Sequence, residues 1–168
     1  RSPQKTVTRR AMAPGSGAFS LAALRSRGEE CDEIVTCPTH DDLPGGRVLA
    51  EGDLISIDCG AILEGWHGDA AISTIVGGRE AGRAEDLELI DATEKALYAG
   101  IAALTVDRSL YEVGAAVEDS IIASGNEHDR VYGIVEDYVG HGIGTAMHMD
   151  PQVPNYRCRE KGPMVTEG

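Results

Sequence analysis

The chain is short of positive charge and has no long apolar run, and each shortage removes a class of function. Across 168 residues, 15 Lys and Arg face 28 Asp and Glu, a formal net charge of −13. Nucleic acid and anionic membrane surfaces repel a chain of that sign, so neither is expected as a direct partner. Charges interrupt every apolar run well before the ~18 residues that a spanning helix requires, so no membrane span is expected. Cys31, Cys37, Cys59 and Cys158 show neither CxxC spacing nor a dense framework; reduced thiols in a cytoplasmic setting are the expectation. Acidic residues are missing from residues 1–28, which hold six of the basic side chains (Arg1, Lys5, Arg9, Arg10, Arg25 and Arg27). An Arg-rich, Ser-containing start resembles a transit peptide. Lacking an initiator Met and an apolar h-region, it is read instead as a basic N-terminal extension or the cut end of something longer. With 42% hydrophobic residues, the rest of the chain is expected to fold as one domain.

What is present reads as strands, then helices. Leu54 to Cys59 is β-branched and partly alternating, Ala70 to Val76 is a second such run, and Glu64-Gly65 between them suits a tight turn. An antiparallel hairpin over 53–77, closed by Gly77-Gly78, follows. A helix is expected over Ala84 to Leu104, with Leu87, Ile90, Leu97, Ile101 and Leu104 on its apolar face. Ser109 can cap a second helix with the stripe Leu110, Val113, Val117 and Ile121, ended by Gly125-Asn126. Val131 to Val139 is a further strand candidate that runs into Gly140-His141-Gly142, and the tail from Pro151 shows no period. This order predicts an α+β fold with helices on one side of an antiparallel sheet.

Three clusters carry chemistry. Asp58 ends an apolar strand, where a carboxylate buried unpaired would be costly and must meet a cation, a metal or several N–H donors. Asp69, in Trp66-His67-Gly68-Asp69, opens the returning strand, and a hairpin would set the two carboxylates side by side. At close range they would share a proton unless a cation lay between them; a metal site and a water-filled structural pair both satisfy that pattern. The third cluster is Gly140-His141-Gly142-Ile143-Gly144 with His148. Flanking glycines permit close backbone approach, and His141 beside two carboxylates makes an O,O,N set suited to Mn, Fe, Co or Zn rather than Ca.

Glu51 to Gly60, Gly65 to Asp69, and Gly140-His-Gly-Ile-Gly144-Thr-Ala-Met-His148-Met-Asp-Pro-Gln-Val-Pro-Asn-Tyr156 together resemble the type I methionine aminopeptidases, over roughly residues 48–156. The resemblance implies the pita-bread (creatinase/aminopeptidase) α+β fold and a centre of two divalent metal ions that removes the initiator methionine from nascent polypeptides. By that resemblance Asp58 ligates one ion, Asp69 bridges two, and His141 ligates the other, while His148 hydrogen-bonds the scissile amide or its carbonyl oxygen. Cys31 and His40 have the family's spacing for a second substrate histidine, His40, although Glu33-Ile-Val-Thr and His40-Asp-Asp-Leu-Pro44 replace the usual wording there. Cys31, Cys59 and Met147 are candidates to line a methionine pocket. Ribosome association, a monomeric state and a cytoplasmic location are further expectations.

The family's last two ligands are glutamates on later strands, and Glu167 lacks their Ile-Glu-Pro setting. Residues 29–168 are therefore expected to form an incomplete metallopeptidase domain, with three protein ligands and little peptidase activity alone. A metal-free pita-bread binding protein is the alternative, and Asp58, Asp69, His141 and His148 at these spacings speak against it. An acidic α+β protein with a chance motif would need three motifs in order by accident.

Overall fold

The computed structural model describes residues 33–35 and 48–167. They fall into two compact units, one built on a hairpin and including Ile143–Met149, the other holding Glu88–Gly142 and the segment from Asp150 onward.

In the hairpin unit, β1 (Glu33–Val35), β2 (Leu54–Leu63) and β3 (Trp66–Ile75) form an antiparallel sheet in the order β1-β2-β3. The sequence pattern did not announce β1. The turn between β2 and β3 has two residues, Glu64 at φ 50 and Gly65 at φ 80, the left-handed pair that matches strand twist in a two-residue hairpin. Gly65→Ala is expected to cost about 1 kcal/mol through that backbone alone, since a Cβ there would meet nothing within 4 Å; urea unfolding checks this. Mid-hairpin, Ser56 and Ser73 stand opposite each other and share a hydroxyl hydrogen bond of 2.8 Å. Past β3 the chain turns through Gly77 and Gly78 into a short 3-10 turn, Arg79–Ala81, and closes over the buried Ile75. A Cβ on Gly82 would lie 2.9 Å from the Ile75 side chain.

Two helices follow, α1 (Ala84–Ala103) and α2 (Tyr111–Glu127). Arg83 grips Asp86 with two 2.8 Å hydrogen bonds at the first turn of α1, where a carboxylate also meets the positive end of the helix dipole. The apolar face expected for α1 is only partly the buried one. Ala92, Ala96 and Gly100 are buried, whereas Leu97, Ile101 and Leu104 are more than half exposed. The reason is the close approach of α2: a Cβ on Gly100 would lie 2.9 Å from Val117 Cγ2 and 3.3 Å from Val113 Cγ1. Small residues on α1 admit the valines of α2, and the large residues are left on the flank.

The start of α2 agrees with the sequence reading, because the Tyr111 N–H donates to the Ser109 hydroxyl at 3.2 Å. Its end does not, since the helix runs through Gly125 to Glu127. Gly125 serves a close approach instead: Arg130 N–H donates to its carbonyl at 2.7 Å, and a Cβ would meet the Arg130 carbonyl oxygen. Lys95 donates to Glu127 at 3.0 Å, a hydrogen bond that, with the Lys95 charge, holds the Glu127 carboxyl below its ordinary value. A depressed folded value means that the pair's contribution is complete above the ordinary glutamate range and is lost as pH falls through the folded value. Glu127→Gln should therefore flatten the acid limb of thermal stability between pH 5 and 3, measured by a melting series, and 1 M salt should do the same to the parent.

Residues 131–139 form no strand; the chain first pairs at β4 (Gly140–Gly142), whose partner is β5 (Met149–Val153). Strand propensity is realised only against a neighbour, and among the described residues Val131 to Val139 has none, whereas Gly140 packs against Val153. The tail is tied back by hydrogen bonds between 107–110 and 163–165, around a bridge from Ser109 to Met164. No described helix is long and apolar enough to cross a membrane.

Candidate metal centre

The strand register places the two carboxylates. Asp58 stands opposite Ala71 and Asp69 opposite Gly60, so the aspartates are diagonal neighbours on one face of the hairpin, about 7–8 Å apart between Cα atoms. They are not directly opposite, as a simple side-by-side reading would have them. Both are exposed. The residues completing the diagonal are small, Gly60 and Ala71. Two hard oxygen donors on one face are of the chemical type that a divalent cation takes.

The same face carries His67, opposite Ile62 and two residues before Asp69. Its backbone N–H donates to the Gly144 carbonyl at 2.7 Å, fastening the Ile143–Met149 loop to the tip of the hairpin. Gly144 packs closely there: a Cβ would lie 3.3 Å from Met149 Sδ and 3.6 Å from the Trp66 ring. His148, exposed on this loop, thus belongs to the unit that carries Asp58 and Asp69. Cys59 pleats to the opposite face from Asp58, so it cannot line a pocket on the carboxylate side.

His141 lies half-buried in β4, in the other unit. Its Nδ1 is 2.9 Å from the Gly142 carbonyl oxygen. That oxygen can only accept, so Nδ1 carries the proton and the ring's lone pair is on Nε2, the arrangement that suits a metal-ligating imidazole. Among the described residues no group of three or more His, Cys, Asp and Glu side chains is gathered closely enough to hold a metal ion. His40, Cys31 and Cys37 lie outside the described residues, as does the basic stretch 1–28; Cys59 and Cys158 are free thiols. The two-residue step from His67 to Asp69 puts both on one face of the strand.

The model of metallopeptidase family M24 matches residues 18–167, and the chain belongs to that family. It is 40% identical over 178 residues to methionine aminopeptidase 1 of Mycobacterium tuberculosis, covering 95% of this chain and 66% of that protein. The methionine aminopeptidase of Clostridium acetobutylicum is 40% identical over 154 residues, covering 92% of this chain and 55% of its own. Among solved structures, the methionine aminopeptidase of Thermotoga maritima superposes with a TM-score of 0.63 at 33% identity, over 73% of this chain and 45% of that one. Prolidase from Pyrococcus furiosus, at 20% identity and a TM-score of 0.58 over 76% of this chain and 34% of that one, shares the fold. The architecture is the α+β pita-bread fold, and the chain spans between 45% and 66% of the length of the three methionine aminopeptidases.

Proposed function

We propose that this chain acts as a metal-dependent aminopeptidase that removes methionine from the N-termini of nascent polypeptides. The observation that carries the reading is the diagonal pair Asp58 and Asp69 on one hairpin face, with small residues completing the diagonal. The likeness to methionine aminopeptidases at 40% identity supports the choice of methionine over other N-terminal residues. In this reading Asp58, Asp69 and His141 would be the residues that hold the divalent ions, His141 through Nε2. Bound divalent ions, among Co, Mn, Fe and Zn, would supply an activated water and polarise the scissile carbonyl.

The remaining work falls to the chain's own side chains. His148, presented on the loop tied to His67, donates to the scissile amide's carbonyl oxygen and steadies charge as it develops there; His40 is its partner at the substrate. The acidic surface keeps the chain off nucleic acid. A monomer acting in the cytoplasm at the ribosome is the setting this reading proposes. Methionine release from a Met-Ala-Ser peptide with added Co(II) or Mn(II) is the test. Metal-dependent release, slower than that of the longer relatives because only three ligands are proposed, is expected. Release that ignores metal, or cleavage of Xaa-Pro dipeptides in preference, overturns the reading. His148→Ala should lower kcat about 100-fold with metal content unchanged.

A further inference from the structure

Trp66 is the only tryptophan of the chain, and at 63% exposure on the tip of the hairpin it fills no core. A Cβ placed on Gly144 would lie 3.6 Å from Trp66 Cζ3, 3.3 Å from Met149 Sδ and 3.9 Å from Met149 Cε, so the indole and the thioether side chain close over the same side of Gly144. Gly144 is accordingly buried, although Ile143 and Thr145 on either side of it are exposed. The residue after Trp66 completes the hold. Its N–H, on His67, donates to the Gly144 carbonyl at 2.7 Å, and the Gly144 N–H donates to the Ala146 carbonyl at 3.2 Å. The backbone is thereby held up to Ala146, two residues before His148, and Met149 engages the same contact immediately after it. We propose that Trp66 is a positioning residue for His148, its indole and the Met149 side chain together holding down the loop that presents the imidazole. The inference rests on His148 acting at the substrate, as in the function proposed above.

Trp66→Ala and Trp66→Phe in the 168-residue chain test this, because an exposed ring can be removed without opening a cavity in a core, and Phe keeps a ring against Gly144. The first readout needs neither metal nor turnover. In the metal-free protein the imidazole proton signals of His148, assigned by their loss in His148→Ala, should shift in Trp66→Ala and return towards the parent in Trp66→Phe. Those of His128, in the other unit, should stay in place. The second readout is methionine release from a Met-Ala-Ser peptide with added Co(II). Trp66→Ala should lower kcat about tenfold with KM unchanged, and by no more than the loss of about 100-fold expected of His148→Ala, since a misplaced group forfeits at most what a missing one does. In the His148→Ala background the same substitution should cost nothing further. A His148 signal indifferent to Trp66→Ala overturns the proposal, and so does a loss of kcat equally large with His148 absent, which marks a general structural effect. No metal-dependent release from the unsubstituted chain overturns the aminopeptidase reading and this inference with it, whereas release that Trp66→Ala leaves unchanged overturns this inference alone.

Discussion

Substituting Asp69 by alanine is expected to weaken divalent-metal binding about a thousandfold. Asp69 is exposed and stands opposite Gly60, so removing its carboxylate leaves no cavity. For the metal the same carboxylate is an attraction of about 4 kcal/mol at the effective dielectric of a protein surface, about three decades in affinity. Calorimetric titration with Mn(II) reads the loss. A second measurement guards it: metal at a hundred times its dissociation constant should add about 2.7 kcal/mol to the parent's stability and nothing to Asp69→Ala. Equal metal affinity in the two proteins would remove Asp69 from the centre.

The second large effect lies in the other unit. Gly114→Ala should destabilise the chain by about 3 kcal/mol or more, although the same change in an open helix gains about 1 kcal/mol. Gly114 is buried in α2, and a Cβ there would strike the carbonyl oxygen of Pro154 and come within 2.5 Å of that of Tyr156. Neither oxygen is the tip of a flexible side chain. Both belong to the backbone just past β5, so relief requires moving that segment off the helix. Urea unfolding of the two proteins checks the magnitude; an unchanged midpoint would mean that the 154–156 backbone does not lie against α2. Proteolysis within residues 150–160 should accelerate in the variant, since the packing that protects them is what the methyl group displaces.

Legibility followed the range of the forces involved. The β2–β3 hairpin was readable because alternation and a Glu-Gly turn are local, and the capping Ser109 was readable for the same reason. The burial of α1 was misjudged at Leu97, Ile101 and Leu104 because the deciding contact is with Val113 and Val117 of another helix, and a close contact favours small residues over large ones. Val131 to Val139 has the composition of a strand and lacks, among the described residues, a strand to pair with. Gly125 was read as a stop signal, yet its requirement is room for the Arg130 carbonyl. In the site, Asp58 and Asp69 could be placed on one hairpin from spacing, whereas the diagonal offset depends on the turn having two residues and not three.

By itself the sequence determined the identity of the carboxylate and imidazole groups, their order, and the net charge of −13, because residue types and local periodicity are properties of the chain. Tertiary structure alone decided that the aspartates are diagonal across small residues, that the Gly144 carbonyl anchors the His148 loop, and that the His141 proton sits on Nδ1. It also decided that the His67 nitrogen is shut away from water. Each of these depends on which backbone atoms meet across strands and loops, and such meetings are set by register and packing rather than by any residue's own preference.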